Sequence, residues 1–220
     1  MIPQLATSVK GFHAIEYLLF GPTGARKAAE LNARLLQLLG LLVADLNTQA
    51  TKLRAVRTRG TGSFGDSFAG AGTAGSAYKN AAAALAEVVG AMGDILDELP
   101  NSKLENALAK QRTDYNESQF SDHSLIDYRS NVRGMYGVYV GTYGAVTTAN
   151  SLSGLVKAAN PALDERVRTQ FRLCIALLDL VPGTLNTAIF SQKTQLRELQ
   201  TELNKLQILI ATDVPMVLGL

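Results

Sequence analysis

Leu31, Leu35, Leu38, Leu42, Leu46 and Leu53 recur at spacings of three, four and seven residues. Those intervals put them on one stripe of a helix running from about Ala25 to Arg57, and they do not fit a strand, whose side chains alternate every second residue. An apolar stripe of this length has to be covered by other helices, so the stripe predicts a helix-on-helix architecture. The same spacing recurs at Leu85, Val88, Val89, Met92, Ile95, Leu96 and Leu99, which predicts a helix over Ala77–Glu98. Leu196, Leu199, Leu203, Leu206, Leu209 and Ile210 predict another over Ser191–Thr212.

Punctuation residues set the remaining boundaries. Gly21-Pro22-Thr23-Gly24 forces a turn after a first helix expected at Val9–Phe20, because glycine permits positive φ and proline cannot continue the ladder. Pro100-Asn101-Ser102 and Pro182-Gly183-Thr184 are read as helix ends, and Gly141–Gly144 as a break. Further helices are expected at Ser124–Val140, with Ser124 as cap and Asp127 in the first turn, at Ser151–Ala159, and at Pro161–Leu180. Lys103–Ser121 reads as mixed loop and short helix. Residues 60–76 form a Gly- and Ser-rich loop whose Phe64 and Phe68 rings are expected to pack back onto the body. No strand-period segment persists. The expected fold is all-α, an antiparallel helical bundle forming a single domain over residues 1–220.

The 220 residues include 47% hydrophobic and 18% charged side chains, enough to fill a core and too apolar for global disorder. A net charge of +2, from 21 basic and 19 acidic residues, excludes a strongly basic nucleic-acid binder. Cys174 is the single cysteine and lies in an apolar helical run, so an intrachain disulfide is impossible and a buried, inert thiol is expected. Met1 is followed by neither a basic nor an apolar region of an export signal. No segment reaches the ~18–20 uninterrupted apolar residues of a transmembrane helix, so the chain reads as soluble. The glycine-rich loop follows no strand and lacks a trailing Lys-Ser/Thr, which argues against a phosphate loop.

His13 and Glu16 stand three apart on the first helix and so share a face. At that spacing both can ligate one metal ion, or the carboxylate can orient the imidazole. Gly11, one turn before Ile15, leaves room for a neighbouring helix or ligand. Glu117, Ser118, Ser121, Asp122 and Asp127 are the polar residues that could converge on the pair, and Gly11, Glu117, Ser118 and Asp127 are taken as candidates for lining its pocket. A carboxylate from that block would complete a mixed N/O set suited to Fe, Mn or Zn. His123, the other histidine, sits beside a helix start, where a capping-region role is as good a reading as ligation. Tyr136, Tyr139 and Tyr143 read as a packed helix face in preference to a pocket wall, and Arg129 and Arg133 equally as solvated helix charges or as a pair for a carboxylate or other anion. There is no His-Glu-x-x-His helix to supply two zinc ligands and a general base, and two histidines do not suggest a Ser-His-Asp arrangement.

The run Lys10-Gly11-Phe12-His13-Ala14-Ile15-Glu16-Tyr17-Leu18-Leu19-Phe20-Gly21 resembles the Gly-x-His-x-x-Glu signature segment of imelysin-like proteins. Residues 115–128, then Asn131-Val132-Arg133-Gly134 to Tyr139-Val140-Gly141, are similar to the family's downstream block, and residues 213–220 to its closing segment. The resemblance implies two helical bundles with the signature near their junction. It implies a metal at His13 and Glu16, iron rather than zinc, and a function linked to bacterial iron uptake through binding of a metal or small ligand. The family name also raises a metallopeptidase, and the leucine faces permit a non-enzymatic helical interaction module. In the family the signature follows an N-terminal helical region and an export signal, whereas here it begins at residue 11. The expectation is therefore a chain lacking that N-terminal part, associating with itself or with a second chain that supplies the missing helical region. A periplasmic or cell-envelope location is implied, with membrane association only through an absent N-terminal anchor and with no nucleic-acid partner.

Overall fold

Helices stand where the leucine stripes demand them. The computed structural model describes residues 4–60, 62–148 and 150–220. Over those residues the chain is all-α apart from one minimal hairpin. It divides into two compact units, residues 1–81 with 118–122, and residues 82–117 with 123–220. No linker composition marks either boundary.

The first unit is built on α1 (Phe12–Phe20) and α2 (Ala33–Arg57). Ala14, Ile15 and Leu18 fall within about a third of a turn on α1, and they pack on Leu35, Leu38, Leu39 and Leu42 of α2. Only Leu18 and Leu42 of this cluster are fully buried. α1 starts at Phe12 rather than Val9, because Gly11 at φ 92° cannot belong to a right-handed helix. α2 starts at Ala33 rather than Ala25. Asn32 caps it by accepting from the Leu35 amide at 3.0 Å, and a 3₁₀ turn at Ala28–Glu30 precedes it. Arg54 and Arg57 lie in its last turn, where cations complement the exposed carbonyls.

The glycine-rich stretch is not all loop. Ser63 accepts from the Asp66 amide and starts a short α3 (Phe64–Ala69). Phe64 and Phe68 stack at 5.8 Å and both meet Tyr78 edge-on, while Arg57 lies 4.7 Å over Phe64.

The second unit carries the large core. α4 (Ala81–Glu98), whose first residue closes the first unit, runs into a π-helical turn at Leu99–Leu104 and then α5 (Glu105–Lys110). Pro100 was expected to stop this helix. It lacks an N–H and its ring crowds the preceding turn, and a locally wider turn absorbs both defects without ending the helix. α6 (Ser124–Val140) follows, then the hairpin of β1 (Thr142–Tyr143) and β2 (Val146–Thr147). His123 rather than Ser124 is the residue before the first turn of α6, and its carbonyl accepts from Ile126 and Asp127. The hairpin replaces the simple break expected at Gly141–Gly144, and both of those glycines have positive φ. α7 (Leu152–Ala159) and α8 (Pro161–Leu180) match their expected spans, capped by Ser151 and Asn160. α9 (Leu185–Ser191) leads to α10 (Lys193–Ile208), a second π-helical turn at Leu209–Asp213, and α11 (Val214–Leu218), in place of one helix to Thr212.

α6, α7 and α10 pack on α8. Tyr128, Val132, Val156, Val167, Phe171, Leu178, Leu199 and Leu203 are fully enclosed there. Tyr136 and Tyr139 lie against Phe171 at 5.3 and 5.9 Å, as expected of a packed face, but Tyr143 has left the helix and is exposed in the hairpin. The buried Asp164 accepts from Tyr139 Oη at 2.9 Å and Ser153 Oγ at 2.6 Å, which removes the cost of an unpaired charge in that core. Cys174 is fully enclosed, and burial pushes its thiol up to about 12, as an inert side chain requires. Arg129 and Arg133 both pair with Asp179. Among the described residues no single helix is long and apolar enough to cross a membrane.

Candidate functional site

His13 and Glu16 face each other across one turn of α1. The imidazole Nδ1 lies 2.9 Å from Glu16 Oε2. The other carboxylate oxygen is held from a distant part of the chain. Glu16 Oε1 accepts from the Phe120 amide at 3.0 Å, the Ser121 amide at 2.8 Å and Ser121 Oγ at 2.8 Å. Two successive amides aimed at one oxygen form the kind of concavity that binds anions. Asp122, which follows them, takes a left-handed φ of 60° that aspartate tolerates better than most residues.

These contacts explain how a carboxylate comes to be nearly buried. Burial raises the pKa of Glu16. The hydrogen bonds from His13 and Ser121, with the positive charge His13 can carry, outweigh it and leave the group below its ordinary value. The charged form is therefore the one the site holds. His13 is the opposite case: its side chain is 56% exposed, against 10% for Glu16. Its Nε2 makes no hydrogen bond among the described residues.

The turn after α1 positions the 118–122 segment. Gly21 and Gly24 adopt φ 74° and 72°. A Cβ on Gly24 would lie 2.7 Å from the Phe120 carbonyl, so only glycine lets that backbone approach. Tyr17 meets Phe120 edge-on at 5.1 Å. Arg26 lies 5.9 Å over the Tyr17 ring and donates through Nη1 to the Leu18 carbonyl at the end of α1.

Gly11 needs a different reading from the one its position suggested. A Cβ there would meet nothing within 4 Å among the described residues. Its φ of 92° with ψ of −163° is open to glycine alone and turns the chain into α1. Ser118 shares the short segment that holds Glu16. Glu117 belongs to the second unit, where Lys103 Nζ pairs with it at 3.1 Å. Asp127, in the same unit, stands in the first turn of α6. His123 is exposed. The backbone amides of Phe120 and Ser121 are the functional groups that sequence reading missed, since an amide carries no residue signal. Ser121 itself was among the polar residues noted.

Among the described residues no group of three or more His, Cys, Asp or Glu side chains is placed to hold a metal ion. The donors at α1 are one free imidazole nitrogen and a carboxylate with both oxygens engaged, which do not make a resident metal centre.

Comparison with known proteins bears on the family and the fold. The model of the imelysin family matches residues 2–212. Iron-regulated protein A of Synechococcus elongatus is 31% identical over 194 residues, covering 87% of this chain and 53% of that protein. This chain thus spans about half the length of that relative. Two solved structures share the fold. An iron-regulated protein A precursor, so assigned, from Parabacteroides distasonis superposes with a TM-score of 0.74 at 19% identity, over 92% of this chain and 64% of that one. An imelysin peptidase from Bacteroides ovatus superposes with a TM-score of 0.64 at 21% identity, over 77% and 50%. With a family match along nearly its whole length, the chain belongs to the imelysin family.

Proposed function

We propose that this chain is a non-proteolytic protein of bacterial iron handling that binds a metal-bearing ligand through His13 at the Gly-x-His-x-x-Glu site. The observation that carries the reading is the exposed His13 imidazole, whose Nδ1 is engaged by Glu16 while Nε2 has no hydrogen-bond partner among the described residues. A nitrogen presented in this way suits a ligand that arrives from solution and leaves again, and an iron species as cargo needs no complete protein-built shell. The kinship with iron-regulated protein A favours iron. The designation of the Parabacteroides distasonis protein as a precursor favours an envelope location.

The peptidase reading is less well supported by the chemistry. A metallopeptidase needs a carboxylate free to take a proton from water. Glu16 accepts four hydrogen bonds and is held as a buried anion. The test has two arms on the purified chain and its His13→Ala and Glu16→Ala variants. Unfolded insulin chain is expected to survive incubation with all three, and cleavage lost in both variants would restore the peptidase. Iron or zinc content is expected to be highest in the parent chain, and equal, negligible metal in all three would refute binding.

A further inference from the structure

Deepening that reading, we infer that Glu16 is not a ligand but a positioning residue, which fixes the His13 tautomer so that Nε2 is the lone-pair donor. An ionised carboxylate can only accept hydrogen bonds. Glu16 Oε1 receives three donors, and the 2.9 Å contact at Oε2 requires a proton on the atom facing it. That proton belongs to His13 Nδ1. In a neutral imidazole the other nitrogen is then unprotonated, and on His13 it is Nε2, the atom on the exposed side chain with no partner among the described residues. The carboxylate, the imidazole and an external electrophile would thus stand in a row, the order in which carboxylates commonly support a ligating histidine.

The reverse assignment, with Glu16 itself binding the ligand, carries a definite cost. Oε1 is taken up by the Phe120 and Ser121 amides and Ser121 Oγ, so the carboxylate would have to offer Oε2 and give up the 2.9 Å contact with His13 Nδ1. The segment 118–122 therefore acts on the ligand only through Glu16 and His13. Its contribution is to hold a charge still.

Replacing Glu16 by glutamine separates positioning from mere support. Glutamine keeps the size and a carbonyl oxygen that can accept all three donors. Its NH₂ then faces His13 Nδ1 and donates, so Nδ1 becomes the acceptor and Nε2 takes the proton. The variant keeps its fold and presents the wrong nitrogen.

Long-range ¹H–¹⁵N spectra of the full chain test this with zinc ion as the probe. In the parent chain His13 is expected to show a protonated Nδ1 and a bare Nε2 without any metal. Added zinc is expected to move the Nε2 resonance and leave the Glu16 carboxyl ¹³C in place. Glu16→Gln is expected to reverse the tautomer and to weaken zinc binding at least tenfold. A protonated Nε2 in the parent chain, or a Glu16 carboxyl that shifts with zinc as His13 does, would overturn the inference. If the tautomer is as stated but zinc leaves His13 unmoved, positioning by Glu16 is upheld and the binding reading of the preceding subsection fails. The parent-chain spectrum needs no variant, so a misfolded Glu16→Gln would not spare the inference.

Discussion

Glu16 joins two sequence-distant pieces of backbone through a single oxygen atom, and its energetics can be examined one donor at a time. Ser121→Ala removes one of the three donors to Oε1 and keeps both amides. A hydrogen bond to a charged group contributes about 1.5–3 kcal/mol, and the two remaining donors place the loss near the lower end, about 1–2 kcal/mol in chemical denaturation. His13→Ala is expected to cost less stability than Ser121→Ala, because the ring is 56% exposed and water can replace it at Glu16 Oε2, while abolishing ligand contact. The carboxylate also sets an acid dependence. Its pKa is depressed in the folded chain, so its stabilisation is present above the ordinary value of 4.5 and lost as pH falls below it. Urea melts of the parent chain are expected to lose stability more steeply as pH falls below about 4.5 than those of Glu16→Gln. Parallel losses in the two proteins would contradict that assignment.

At the scale of elements, the two glycines Gly11 and Gly24 that flank α1 act by different means, and substitution should tell them apart. Gly24→Ala forces a Cβ to 2.7 Å from the Phe120 carbonyl at φ 72°, combining strain with displacement of the segment that holds Glu16. Gly11→Ala meets no neighbour and suffers only the strain of φ 92°. Each is expected to cost about 1–3 kcal/mol of stability. Only Gly24→Ala is expected to shift the Phe120 and Ser121 amide resonances strongly, and equal shifts in both variants would contradict this division. Element boundaries were legible where the side chain itself carries the signal. Pro161, Ser151 and the turn glycines marked their helix ends correctly. They were illegible where backbone geometry decides. Pro100 continues as a π turn because the surrounding core, with Leu96, Leu99 and Leu104 all buried, holds the chain in line. Asn32 was overlooked as a cap because Ala25–Leu31 has helical composition, although most of it is exposed.

For the whole molecule, the two units differ in how much apolar surface they bury. The second unit encloses large side chains along α6, α8 and α10, while the first has Leu18 and Leu42 as its fully buried cluster. Along α2, Leu36, Leu41, Val43, Leu53 and Val56 are about half exposed. Local opening follows buried contact, so amides of α1 and α2 are expected to exchange with solvent faster than those of α8 and α10. Equal protection would contradict the division. Leu203→Ala, in the larger core, is expected to cost about 2–5 kcal/mol. The all-α class could be read from the leucine spacing alone, and a candidate site from the spacing of His13 and Glu16. What sequence could not supply is the pairing of Glu16 with residues 120 and 121, because a contact across more than a hundred residues to backbone amides leaves no side-chain pattern. That pairing supports the central claim, that His13 rather than Glu16 meets the ligand. Calorimetric titration of the parent chain and His13→Ala with Fe(II) under anaerobic conditions tests it most directly. The account predicts saturable binding of one equivalent by the parent chain, weakened at least tenfold in the variant. Binding of equal strength in both proteins would contradict it.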